Sequence, residues 1–195
     1  MTFCFIGSGM ERELTRTRGI EVRSIARAMH SRFDRLVFGG SSAGLMADFA
    51  SAFLASGGHV VSVIPQWLHD INQVFEGGEP RLVADLAERK RVMFDEVDAV
   101  LCYPGGVGTW DELFDLVARR AIDAAVHAKA PCPPVYLYNW EKYYAPLLLQ
   151  IETAVEVGLI HPAAVAMIHP FETADELDAL LGAHPGAADH GEMAT

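Results

Sequence analysis

The chain has 195 residues, 51% of them apolar, and a formal net charge of −11. That length and apolar share suffice for a substantial core in one domain, and the acidic surplus excludes a nucleic-acid surface or an anionic-membrane surface. Three cysteines, Cys4, Cys102 and Cys132, are odd in number and lie in or beside apolar runs, which fits reduced thiols in a cytosolic compartment better than a disulfide framework or a zinc site.

Taken in chain order, short apolar runs alternate with longer helical patterns, as in βαβ units with a parallel sheet. The opening run meets Glu11, Arg12 and Glu13 too early for a signal segment, and no apolar run reaches membrane-spanning length, so a soluble protein is expected. Strands are predicted at Phe3–Ile6, Arg35–Phe38, His59–Ile64, Ala99–Tyr103, Val135–Tyr138 and Val165–Ile168. Four of them run into turn-formers: Gly7-Ser8-Gly9, Gly39-Gly40-Ser41-Ser42, Pro65 and Pro104-Gly105-Gly106. In an open parallel sheet, loops at the carboxyl ends of the strands line a common crevice, so these loops should converge on one ligand site.

Between the strands, helices are predicted at Ala43–Ala55, ending at Gly57-Gly58, and at Arg81–Val97 with an apolar stripe. Others cover about Thr109 to Lys129, stopping before Pro131, then Tyr143–Val157, ending at Gly158, and Ala174–Leu181. Gln66–Pro80 reads as an irregular rim or lid loop. Residues 1–182 are expected to form one domain, and residues 183–195 a flexible tail with little to bury.

Pro104-Gly105-Gly106-Val107-Gly108-Thr109-Trp110-Asp111-Glu112 directly follows an apolar strand. A strand that ends in a glycine loop and turns into a helix aims several backbone N–H groups at one spot, an arrangement suited to a phosphate. On the Arg81–Val97 pattern, Leu82, Val83, Leu86, Met93 and Val97 fall within roughly 60° of one direction, and Arg89 and Lys90 fall in the same arc. Two cations on a core-facing stripe either face an anionic ligand, or snorkel or pair with carboxylates.

Glu112 also has two readings. Thr109-x-x-Glu112 has the form of a capping box. A carboxylate in the first turn after a phosphate loop would equally lie close to the ligand's sugar, placed for acid/base or cation-stabilising work. Ser8, Ser41 and Ser42 stand at strand ends, where they bind an anion or cap a helix, and Gly40 belongs to a loop whose glycines could simply allow close packing. The histidines show no metal-ligand spacing, so no metal site is expected. Trp67, Trp110 and Trp140 lie near loop or helix starts, to stack on a base or to pack in a core or interface.

The segment Pro104–Glu112 resembles the Pro-Gly-Gly-x-Gly-Thr-x-x-Glu motif of the LONELY GUY-like family, once labelled lysine decarboxylases. Gly39–Met46, Gly57–Pro65, Glu88-Arg89-Lys90, Tyr143–Leu148 and Gly158–Ile160 resemble further family segments in the same order. The resemblance implies a Rossmann-like three-layer α/β/α fold with a mainly parallel sheet. It also implies hydrolysis of the N-glycosidic bond of a nucleoside 5′-monophosphate, a cytokinin riboside 5′-monophosphate or AMP, giving free base and ribose 5-phosphate. The family's catalytic arginine and glutamate fall on Arg89 and Glu112, and its phosphate loop on Gly105, Gly106, Gly108 and Thr109. Lys90, Gly40, Ser41 and Ser8 complete the expected substrate-binding set. No cofactor is required, and a homodimer is expected; the apolar-rich Trp110–Val126 helix is a candidate surface, though core packing explains its composition equally well. The alternative is a nucleotide-binding or sensing module of the same fold without turnover. An amino-acid decarboxylase is disfavoured, since no recognisable pyridoxal-phosphate lysine context appears.

Overall fold

Phe3 and Phe5 point to one side of the first strand, β1 (Thr2–Ile6), and Cys4 and Ile6 to the other, and all four are fully buried. A strand apolar on both faces needs cover on both, which is the mark of a parallel sheet between helical layers. The computed structural model describes residues 1–10, 20–70, 74–95, 97–126 and 133–183. Their sheet has seven strands: β1, β2 (Arg35–Phe38), β3 (His59–Pro65), β4 (Glu79–Val83), β5 (Ala99–Cys102), β6 (Val135–Tyr138) and β7 (Ile168–Phe171). Their order is β4-β3-β2-β1-β5-β6-β7, and every neighbouring pair is parallel. The expected Rossmann-like three-layer α/β/α architecture is observed.

Eight α-helices are described: α1 (Arg23–His30), α2 (Gly44–Ala55), α3 (Gln66–Asp70), α4 (Leu86–Phe94), α5 (Val107–Val126), α6 (Ala145–Glu156), α7 (Pro162–Val165) and α8 (Ala174–Gly182). One core packs α1, α2 and α8 on the face carrying Phe3, Phe5 and Phe38, with Phe5 stacked on Phe49 at 4.4 Å. The second core packs Val92 and Met93 of α4 and Leu113, Leu116 and Val117 of α5 against Cys4, Ile6, Val100 and Cys102. Cys4 and Cys102 are free and buried there, and burial pushes the Cys102 thiol up to about 12. No helix among the described residues is long and apolar enough to cross a membrane.

Three expected elements are corrected. The Arg81–Val97 helix divides: Glu79–Val83 is an edge strand on β3, and the helix starts only at Leu86. The cause is local. Asp85 accepts from Glu88 N–H at 2.8 Å while Glu88 accepts from Ala84 N–H at 2.7 Å, a reciprocal cap, reaching one residue further back than a capping box, that starts the helix after the strand. Leu82 and Leu86, placed on the buried stripe by the longer helix, are exposed instead. The last strand lies at Ile168–Phe171 and not Val165–Ile168, because Pro162 and the His161 imidazole, which accepts from Ala163 N–H, begin the turn of α7.

Gln66–Pro80, expected as irregular, holds α3 and the start of β4. Helix α1 has no counterpart among the expected elements; it buries Ile25, Ala26, Ala28 and Met29. Gly57 and Gly158 have φ of +99° and +79° at the ends of α2 and α6, as their helix-terminating positions require. The 183–195 tail, Cys132, Lys129 and most of the Arg- and Glu-rich Gly9–Gly19 stretch lie outside the described residues, Ala183, Gly9 and Met10 apart.

Candidate active site

β1 is where the strand order reverses, with β2 on one side and β5 on the other, the position at which open parallel sheets have a crevice at the carboxyl ends of their strands. Ser8 N–H donates to Pro104 O at 3.3 Å and Met46 N–H to Ser8 O at 3.1 Å, which ties the β1 loop to the β5 loop and to the start of α2. Gly44 takes a φ of +68°, and a Cβ there would lie 2.7 Å from the Gly9 carbonyl carbon, so a glycine is needed where these segments cross.

The turn from β5 into α5 has the strand, glycine loop and helix start that the sequence leads one to expect. The helical ladder opens with Trp110 N–H on Gly106 O at 3.0 Å, so the N–H groups of Val107, Gly108 and Thr109 stand ahead of it. Added Cβ atoms on Gly106 and Gly108 would meet nothing within 4 Å, which leaves this helix start open. Gly105 is different. A Cβ on it would fall 2.1 Å from Thr109 Oγ1, so its hydrogen lets the buried Thr109 side chain fold against the loop.

The capping-box reading of Thr109 and Glu112 is not met, since the helix begins two residues earlier, at Val107. Glu112 instead points at Arg89. Arg89 Nη1 donates to Glu112 Oε1 at 3.2 Å, Nε to Val63 O at 3.3 Å and Nη2 to Gly39 O at 3.3 Å. One guanidinium therefore joins the carboxyl ends of β2 and β3 to the first turns of α5. The pair is largely withdrawn from water, with side-chain exposures of 15% for Arg89 and 8% for Glu112. Burial pushes the Glu112 carboxyl above its ordinary range, the Arg89 charge opposing that rise and Asp111 adding to it. Gly39 makes the arrangement sterically feasible, because a Cβ at that position would lie 1.7 Å from Arg89 Nη2.

Lys90 does not share the crevice with Arg89. Its Nζ pairs with Asp111 at 3.0 Å and Asp115 at 3.7 Å on α5, and these contacts, the Asp111 hydrogen bond foremost, hold its pKa up. Consecutive residues on a helix point 100° apart, so only one of the two cations turns toward the strand ends. Gly40 serves packing, since a Cβ there would meet Ile64 Cγ1 at 2.5 Å, and its carbonyl accepts from Phe75 N–H at 2.9 Å. Ser41 and Ser8 each fold their hydroxyl onto the N–H two residues ahead, Ala43 at 3.3 Å and Met10 at 3.1 Å, in loops bordering the crevice. Trp140 packs against the first core, whereas Trp67 and Trp110 are exposed.

Two cavities of about 390 and 460 Å³ lie against α1 and α2, lined by Arg23, Arg27 and His30 in one case and by Arg23, Asp48 and Ser51 in the other. Neither includes Arg89, Glu112 or the β5 loop. Sequence reasoning missed the acceptors Gly39 O and Val63 O, which no side-chain pattern marks. It also missed Tyr143 and Tyr144, whose hydroxyls donate at 2.7 Å to Gly105 O and Tyr103 O beneath the loop.

A family model described as "Possible lysine decarboxylase" matches residues 46–181. A probable cytokinin riboside 5′-monophosphate phosphoribohydrolase of Arabidopsis thaliana is 40% identical over 156 residues, 78% of this chain and 74% of that protein. A second, from Oryza sativa subsp. japonica, is 38% identical over 78% of this chain and 70% of its own length. A cytokinin riboside 5′-monophosphate phosphoribohydrolase of Rhodococcoides fascians is 41% identical over 66% of this chain and 63% of its own. Among solved structures, the molybdenum cofactor carrier protein of Chlamydomonas reinhardtii superposes with a TM-score of 0.62 at 15% identity, covering 93% of this chain and 96% of that one, a likeness of fold alone. With a family model spanning most of its length and relatives near 40% identity, this chain belongs to the LONELY GUY-like family.

Proposed function

We propose that the protein hydrolyses the N-glycosidic bond of a nucleoside 5′-monophosphate of the cytokinin riboside or AMP type, releasing free base and ribose 5-phosphate. The observation that carries this reading is the Arg89–Glu112 pair, 3.2 Å apart, with Glu112 one helical turn beyond the open N–H groups of Gly108 and Thr109. The 5′-phosphate sits on the N-terminus of α5, over Gly106 and Gly108, which fixes the sugar near Glu112. Cleavage passes through an oxocarbenium-like state, with positive charge at C1′ and O4′ as the C1′–N bond pair leaves with the base. Glu112, ionised and poorly solvated, stabilises that charge and takes the proton of the water that attacks C1′; the proton passes on to the departing base. Arg89 holds the carboxylate in place and favours its charged form against the effect of burial.

The partner of the protein is a second copy of itself. Val107, Trp110, Phe114 and Ile122 are 78%, 41%, 40% and 64% exposed and fall along one face of α5. That stripe starts at the phosphate loop, so a dimer formed on it borders the site. The buried free thiols fit a reducing, cytosolic setting.

The test is chromatographic detection of free base and ribose 5-phosphate from a panel of purine and pyrimidine 5′-monophosphates, with wild type and Glu112→Gln. Release by the wild type alone supports the reading. Binding of AMP without release from any nucleotide replaces it with a binding or sensing module.

A further inference from the structure

We infer that Tyr143 is a positioning residue for phosphate recognition, aiming the Gly106 N–H through the Gly105 carbonyl, and that the left-handed turn before it sets it in place. This role rests on the phosphate assignment above. Tyr143 Oη donates to Gly105 O at 2.7 Å. Across a trans peptide the C=O and the following N–H point in opposite directions, so a carbonyl held toward Tyr143 turns the Gly106 N–H to the other side of the loop. Tyr144 makes the comparable bond two residues earlier in the loop, to Tyr103 O, and its hydroxyl lies 3.5 Å from Cys102 Sγ. The residue after Tyr103 is Pro104, which has no N–H to aim. Of two adjacent tyrosines bonded to one loop, one orients a donor and the other anchors the backbone.

The turn that delivers them is strained. Glu141 and Lys142 have φ of 47° and 62°, a left-handed conformation that is costly for residues bearing a Cβ. Strain of this kind persists only where the surroundings impose it. Here Lys142 N–H donates to Asn139 O at 3.0 Å, Tyr143 N–H to Trp140 O at 2.9 Å, and Tyr144 N–H to the buried Asn139 Oδ1 at 2.8 Å. Asn139 N–H in turn donates to Phe171 O at 2.7 Å, and Lys142 is ion-paired with Glu172. The ends of β6 and β7 thus brace a turn that places consecutive side chains under the β5 loop, their rings edge to face at 4.9 Å.

The experiment compares Tyr143→Phe and Tyr144→Phe in the full chain, measuring calorimetric affinity for AMP and for adenosine, turnover of AMP, and thermal midpoint. Loss of one oriented donor should weaken AMP about tenfold and adenosine less than about twofold in Tyr143→Phe, raising KM with kcat within about threefold. Tyr144→Phe should lower the midpoint and leave the AMP-to-adenosine ratio as in wild type. An unchanged ratio in Tyr143→Phe, or an equal fall in both variants, overturns the inference. If the wild type binds AMP selectively but does not cleave it, the catalytic reading fails while the Tyr143 comparison still decides this one. A wild type that binds AMP no more tightly than adenosine overturns both.

Discussion

Gly39→Ala adds one methyl group at the position over which Arg89 lies. The new Cβ would fall 1.7 Å from Arg89 Nη2 and 2.9 Å from Cζ, whereas ordinary contact begins at 3.4 Å, so the guanidinium has to retreat by about 1.7 Å. Its bonds to Glu112, Val63 O and Gly39 O are already 3.2 to 3.3 Å long, and none survives such a shift. Glu112, only 8% exposed, then keeps its burial and loses its cation, so it takes up a proton more readily. A displacement of this size in the proposed catalytic pair should cost on the order of 10²-fold in kcat/KM. Gly39 has no left-handed φ, so the backbone itself accepts alanine. The overpacking should therefore cost stability only about 1 to 3 kcal/mol, or roughly 2–12 °C at this chain length. The assay is ribose 5-phosphate release across pH, with a thermal melt on the same sample. A kcat/KM within about threefold of wild type, with an unmoved acid limb, would refute the claim that Arg89 must lie across Gly39 to work.

Wild-type activity should fall with acid along a limb set above the ordinary carboxylate range, because burial raises the Glu112 pKa and the proposed role needs the ionised form. Arg89→Ala removes the charge that opposes that rise and should move the limb further up; a limb that moves down contradicts the assignment. The folded state also binds this proton more tightly than the unfolded chain, so the contribution to stability is complete below the unfolded pKa and is lost as pH rises through the folded one. Denaturant midpoints for Glu112→Gln should lack that dependence. Asp85→Ala should cost about 1 kcal/mol through loss of the cap on Glu88 N–H, read as a lower urea midpoint with m unchanged. If the proposed dimer forms on α5, Phe114→Glu should sediment as a smaller species than wild type; a sedimentation coefficient equal to wild type rules out α5 as a dimer surface.

The architecture is legible where burial on both faces leaves an unbroken apolar run, as at Phe3–Ile6 and Ala99–Cys102. β4 escapes because an edge strand has little to bury: of Glu79-Pro80-Arg81-Leu82-Val83 only Val83 is covered. Its charges and apolar residues then merge with those of α4 into one false helical period. The marker that separates them is Asp85-x-x-Glu88, a reciprocal cap of the same spacing as Thr109-x-x-Glu112, where the helix starts earlier instead. Arg89 nonetheless stands out in the sequence as a cation facing inward, and it does face inward, toward two strand ends and Glu112. The same periodicity gives Lys90 that direction, which the shorter helix and the carboxylates of α5 do not allow. Nothing in residue spacing could show Tyr143 and Tyr144 beneath the loop. Their contacts lie 38 and 41 residues away in the chain and depend on two left-handed residues that carry no glycine to announce them.

The place of β1 in the sheet also governs how the molecule can assemble. Its partners are β2, from Arg35 onward, and β5, where Phe3 lies opposite Ala99. During synthesis the β2 side can zip early, but the β5 side of β1 stays an open edge until the chain past Cys102 has emerged. Such long-range parallel pairing is slow to form and prone to sticking while it waits. The crevice lies along that same late seam. A nucleotide can recognise only the finished sheet, so it draws the folding equilibrium toward completion by mass action and should rescue yield in variants whose last step is slowed.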